Sequence, residues 1–133
     1  MKPFAQALTA VVLVVVCSSV SSTNRKPGSD EFLQYCGACH SIYCTRANGP
    51  KLEAVIGRRA ASVPDYDDYS SALKASDIAW SMEKIDQWLI DPQAMVPGTK
   101  MPNDLPFRNA TAEERKKIVH FLSDPDASAD ICP

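Results

Sequence analysis

Residues 35–44 read YCGACHSIYC and place three cysteines and a histidine within ten positions. A redox dithiol, a zinc site, a disulfide framework and the anchor of a covalent cofactor all use these residue types, and each demands something different of the rest of the chain. Just upstream, helical periodicity begins. Ser29 or Asp30 can cap a first turn, and Phe32, Tyr35, Cys36, Cys39 and His40 then recur at spacings of three and four. One helical face is therefore expected to carry the cluster together with an aromatic ring.

The chain has 133 residues and a formal net charge of −2, which suits one domain and gives no basic surplus for nucleic acid or a membrane surface. Its opening, MKPFAQALTAVVLVVVCSSVSS, carries one positive charge, Lys2, then an apolar run from Leu8 to Val16 broken by Thr9, then small residues around Ser19-Val20-Ser21. This is the pattern of a secretory signal over residues 1–21, since the run falls short of the roughly 20 residues a bilayer crossing needs. Membrane attachment is expected only through an uncleaved leader or lipidation of Cys17, where Val16 sits at a position such signals prefer small. Residues 22–28 read as a mobile lead-in, and residues 29–133 as the folded domain. Export would place the cysteines outside the reducing cytosol.

After His40, roughly forty residues show little periodicity and much turn chemistry, as in TRANGPK and GRRAASVPDYDDYSS, with a short helix open in SALKA. A small domain seldom carries so long an irregular stretch unless it wraps something. A second helix fits Met82 to Ile90, with Ile85, Trp88 and Leu89 on one stripe and Pro92 ending it. A third opens at Thr111 and Glu114 in capping-box spacing and puts Ile118, Phe121 and Leu122 on one face. No segment alternates convincingly as a strand, so the expected class is all-α, with thin apolar faces and a centre that something else must fill.

Cys36-Gly37-Ala38-Cys39-His40 is CxxCH, the attachment signature of c-type haem. On a helix, thiols at i and i+3 share a face and can form thioethers with the two vinyl groups, and the next residue can ligate the iron. A thioredoxin-like dithiol belongs after a strand, and none precedes Phe32. A zinc site needs a second ligand cluster, for which only His120 and Cys132 are at hand. Cysteines so close together cannot easily bridge each other within a helix. For the second axial position the candidates are Met82, Met95, Met101, His120 and the lysines. Met101, in VPGTKMP, lies between a Pro-Gly turn and another proline, which suits a ligand better than a core side chain.

CGACH, then NGPKL, GRRAASVPDY, YSSALKASDIAW and DPQAMVPGTKMP, in this order, resemble class I cytochrome c, close to the bacterial relatives of the mitochondrial electron carrier. The resemblance covers nearly all of residues 28–123. It implies a small all-α fold of helices and long loops around one covalently bound haem c and its iron, with Cys36 and Cys39 as thioethers and His40 and Met101 as axial ligands. Pro50 would offer its carbonyl to the other nitrogen of His40, and Arg58, Tyr69, Trp80 and Thr99 match positions that hold the haem propionates. Phe32 and Phe121 match the aromatics where the first and last helices cross. Trp88 departs from the pattern, standing where the family usually has a tyrosine whose hydroxyl reaches the methionine sulfur. The acidic balance also differs from the lysine-ringed mitochondrial protein, although Lys100, Arg59 and the Arg115-Lys116-Lys117 run could form a local patch.

Cys44 and Cys132 are left over, and in an exported protein two spare thiols are expected to pair. The first and last helices touch in this fold, so the pair could staple the tail onto the haem loop. The functional expectation is a single-electron carrier, not an enzyme, acting as a monomer in the bacterial periplasm and docking transiently with redox proteins at the haem edge. The alternatives are a haem protein with a labile methionine, acting as peroxidase or gas sensor, and a thiol-disulfide oxidoreductase using Cys36 and Cys39.

Overall fold

The computed structural model describes residues 25–46, 48–102 and 109–126. The leader at 1–21 and Cys132 lie outside the described residues. Within them the chain forms α1 (Ser29–Tyr35), α2 (Ser71–Ala75), α3 (Met82–Ile90), α4 (Pro92–Met95) and α5 (Ala112–Ser123). The described residues form no strand, only isolated bridges between Arg46 and Gly49 and between Arg59 and Ala79.

The two helices read most clearly keep their expected bounds because each carries its own start signal. Ser81 accepts from the Lys84 N–H at the head of α3. The Thr111 hydroxyl accepts from the Glu114 N–H while Glu114 accepts from the Thr111 N–H, completing the capping box of α5. In α1 the sequence expectation needs two corrections. Its cap is Gly28, which makes no side-chain capping bond, so Ser29 lies inside the helix. The helix also ends at Tyr35 instead of running through His40, because the Gly37 N–H is shared between the Phe32 and Leu33 carbonyls at 3.1 and 3.2 Å. The helical spacing of the cysteines survives in one further turn, with Cys39 N–H and His40 N–H both donating to Cys36 O at 3.1 and 2.8 Å. Pro92 does end α3, but it also starts α4, a helix the sequence reading did not anticipate. Proline fits a first helical position, and the Asp91 side chain caps that turn by accepting from Ala94 N–H.

Helices α1 and α3 both pack on α5, and α4 packs on α3. At the α1–α5 crossing Phe32 and Phe121, 0% and 1% exposed, stack with ring centroids 5.3 Å apart and planes tilted by 40°. Polar contacts border this crossing. The Tyr35 hydroxyl donates to Glu114 at 2.9 Å, Lys117 pairs with Glu31 at 2.7 Å, and Arg115 pairs with Asp86 of α3 at 2.9 Å. The irregular middle of the chain is held by short backbone ladders. Leu52 and Glu53 donate to Ser41 and Ile42, while residues 57–60 pair with residues 78–80.

Gly28 allows the crossing to close. Its φ is 88°, and a Cβ there would lie 2.3 Å from the Lys117 carbonyl oxygen of α5. Gly28→Ala combines left-handed strain with a backbone collision, so it should cost about 2–3 kcal/mol, checked by chemical denaturation of the wild type and variant.

Candidate functional site

The end of α1, the irregular middle, α3 and the Met101 loop enclose a cavity of about 220 Å³. Its walls are largely apolar, with Leu52, Val55, Leu73, Ile85, Leu89 and Leu122 among the lining residues. Cys36, Cys39, His40, Pro50, Arg58, Tyr69, Trp80, Thr99 and Met101 all line it. The sequence reading therefore named residues that the fold brings to one place, although they span 66 positions from Cys36 to Met101.

The turn after α1 presents the CxxCH residues. Cys36 is buried, and desolvation, with Cys39 adding to it, pushes its thiol up to about 12. Such a thiol is a poor thiolate source near neutral pH, which argues against a dithiol exchange site. His40 Nδ1 lies 2.9 Å from the Pro50 carbonyl oxygen. A carbonyl can only accept, so Nδ1 carries the proton and Nε2 keeps a lone pair for a metal. Burial lowers the His40 pKa, the Pro50 bond opposes that effect, and the net result favours neutral imidazole. Gly49 lets the loop approach this closely, since a Cβ there would fall 2.6 Å from the ring carbon Cε1.

Met101 reaches the cavity from the loop after α4. Trp88 Nε1 lies 2.7 Å from Met101 Sδ, so an indole N–H donates to the sulfur where the resemblance implied a tyrosine hydroxyl. Trp80 packs edge-on against Trp88, with centroids 5.1 Å apart. Of the other candidates for the second axial position, Met82 packs against the edge of the main core, Met95 stands outside the cavity lining, and His120 is exposed on α5.

The polar lining is partly committed to backbone. Arg58 donates to the Glu53 and Lys51 carbonyls at 2.5 and 3.0 Å, and burial lowers its pKa. The Tyr69 hydroxyl accepts from Val63 N–H at 3.3 Å, and Thr99, 7% exposed, accepts from Met101 N–H at 3.5 Å. Two contributors were missed by sequence reasoning. Tyr66 lines the cavity and meets Tyr69 edge-on at 4.8 Å, a partnership its place three residues upstream could have suggested. Gln93 bonds the Met101 loop from α4, and no local signal announces it.

Among the described residues the free thiols are Cys36 and Cys39, whereas Cys44 is disulfide-bonded. No group of three or more His, Cys, Asp or Glu able to hold a metal occurs among those residues, and Cys132, one of the distant ligands a zinc site would use, lies outside them. Two unbridged thiols, an imidazole with one free nitrogen, a thioether and an apolar cavity fit a c-type haem.

The Cytochrome c family pattern matches residues 26–124. The chain is 45% identical over 101 residues to "Cytochrome c-type cyt cy" of Rhodobacter capsulatus, covering 75% of this chain and 48% of that protein. It is 35% identical over 125 residues to "Cytochrome c2" of Rhodomicrobium vannielii, covering 92% of this chain and 96% of that protein. Among solved structures, "cytochrome cH from Methylobacterium extorquens" aligns with a TM-score of 0.62 and 34% identity over 71% of this chain and 92% of that one. The chain belongs to the cytochrome c family. It is an all-α electron-transfer protein, not an enzyme, and its cofactor is one covalently bound c-type haem with its iron.

Proposed function

We propose that this protein shuttles single electrons through a haem bound to Cys36 and Cys39 and ligated axially by His40 and Met101. The haem supplies a reversible one-electron change at iron. The observation that carries the reading is the His40–Pro50 hydrogen bond, which commits one imidazole nitrogen to a carbonyl and leaves the other for metal in the cavity that Met101 also lines. Filling both axial positions leaves none for oxygen or peroxide, and a thioether favours the reduced iron relative to a second histidine. Arg58, Tyr66, Tyr69, Trp80 and Thr99 hold the polar edge of the cofactor, where two carboxylates need donors or a cation. Trp88 donates to the thioether, which draws electron density from the sulfur and makes it a poorer donor to ferric iron.

In this reading the leader directs export to the periplasm, and residues 29–133 form the domain. No helix of the described residues is long and apolar enough to cross a membrane. Redox partners dock transiently on the monomer at the cofactor's exposed edge through a small interface. Several cations considered for docking are already engaged, Arg59 with Asp77, Lys100 with Asp68, Arg115 with Asp86 and Lys117 with Glu31. Each of these cations therefore has an acidic partner beside it, and the patch carries charges of both signs. Cys44 pairs with Cys132, closing nearly the whole domain, a cross-link worth about 3–5 kcal/mol by chain entropy.

The oxidised protein should show the near-infrared sulfur-to-iron charge-transfer band, and Met101→Ala should lose it and gain rapid carbon monoxide binding when reduced. A wild type without the band that binds carbon monoxide quickly would instead be a sensor or peroxidase. Trp88→Phe should lower the reduction potential by up to roughly 40 mV in potentiometric titration, the ceiling set by one whole net hydrogen bond felt in only one oxidation state. Thiol titration of the denatured, unreduced holoprotein should find neither Cys44 nor Cys132 free. Two free sulfhydryls there would dismiss the pairing.

A further inference from the structure

The segment from Val96 to Met101 contains little regular structure, yet the proposed ligand must be held at one position. Its own backbone closes one turn, in which Thr99 N–H donates to Val96 O at 3.0 Å. Val96 N–H donates to Pro92 O, Met101 N–H reaches Thr99 Oγ1, Trp88 donates to Met101 Sδ and Lys100 pairs with Asp68, but three main-chain contacts come from one side chain on α4. Gln93 Nε2 donates to the Thr99 carbonyl at 2.7 Å and to the Met101 carbonyl at 3.0 Å, and Gln93 Oε1 accepts from the Gly98 N–H at 3.2 Å. These contacts use both amide hydrogens and the amide oxygen, and they assign the amide's orientation, since flipping it would set its oxygen against two carbonyl oxygens. Gln93 is itself anchored. Asp91 caps α4 through Ala94 N–H, and α4 packs on α3, the helix that carries Trp88.

We propose that Gln93 is a positioning residue that clamps the backbone on both sides of Lys100 and so sets how readily Met101 leaves the iron. It does not line the cavity, so it acts only through the loop. Trp88 holds the sulfur and Gln93 holds the main chain, and the two restraints meet at one residue. The inference rests on Met101 being an axial ligand, and its test separates the two claims.

Ferric holoprotein is mixed with imidazole at concentrations high enough that the binding rate levels off, because that plateau reports the rate at which the native ligand departs. Gln93→Leu, which removes all three contacts, should raise the plateau rate by about tenfold or more, the effect of one to two net hydrogen bonds. Gln93→Glu keeps the acceptor for Gly98 but loses both donors, and it should accelerate departure at neutral pH as well. Gly28→Ala, whose added methyl would meet Lys117 and Phe121 of α5 and not the loop, should lower global stability and leave the plateau rate within about twofold of wild type. A wild type that shows the charge-transfer band, combined with unchanged plateau rates in both Gln93 variants, overturns the clamp and leaves the ligation reading intact. Equal acceleration in Gly28→Ala and Gln93→Leu also overturns it, because global loosening would then account for the effect. A wild type without the band overturns the ligation reading and the clamp together.

Discussion

The contact between Phe32 and Phe121 determines where the rest of this small domain can sit. Both rings are essentially fully buried, and burial of a large aromatic side chain contributes about 1.5–3 kcal/mol. Because α1 is only seven residues long, its own hydrogen bonds could not hold it helical in water. Packing against α5 stabilises it and fixes the turn that follows. Cys36, Cys39 and His40 occupy that turn, so an aromatic crossing on one side of Tyr35 positions the CxxCH residues on the other. The Tyr35 hydroxyl bond to Glu114 reinforces this link and joins the same corner to the capping box of α5.

The cavity follows from that arrangement and from a shortage of regular structure. Four of the five helices among the described residues have nine residues or fewer, so they cannot cover one another as in a bundle. The intervening chain instead spans the gap in short ladders, bringing the Pro50 carbonyl against His40 and the Arg58 carbonyl to the Trp80 N–H. Val55, Ile85, Leu89 and Leu122 belong to the buried core and also line the cavity, so the cavity opens directly onto that core. In the proposed reading the cofactor completes the core, and folding and haem attachment become coupled.

Local signals account for what could be read in advance. CxxCH is a contiguous motif, and the bounds of α3 and α5 are written by Ser81 and by the Thr111–Glu114 pair within their first turns. The end of α1 was missed because it depends on how one glycine N–H divides between two carbonyls, which periodicity does not encode. Helix α4 was hidden by Pro92, since the same residue that stops one helix can start the next. The gathering of Arg58, Tyr69, Trp80 and Thr99 was legible only through resemblance, as nothing in their spacing places them around one cavity. Gln93 was not legible at all, because its partners are backbone atoms whose positions exist only once the loop has folded back on α4.

Trp88 shows how a substitution visible in sequence can keep one property and change another. A phenol and an indole can each donate a hydrogen bond to sulfur, so the polarisation of Met101 Sδ survives the exchange. A phenol oxygen can also accept, and a water could bridge from it to neighbouring polar groups. An indole nitrogen only donates, and here Leu73, Trp80 and Leu89 also line the cavity. The indole therefore sets a fixed donor dipole on Met101 Sδ at this side of the cavity. A fixed dipole needs little reorganisation when the iron changes charge, which suits electron transfer. In the proposed reading it also places the burden of adjusting to oxidation on the loop that carries Met101, whose main chain Gln93 of α4 contacts.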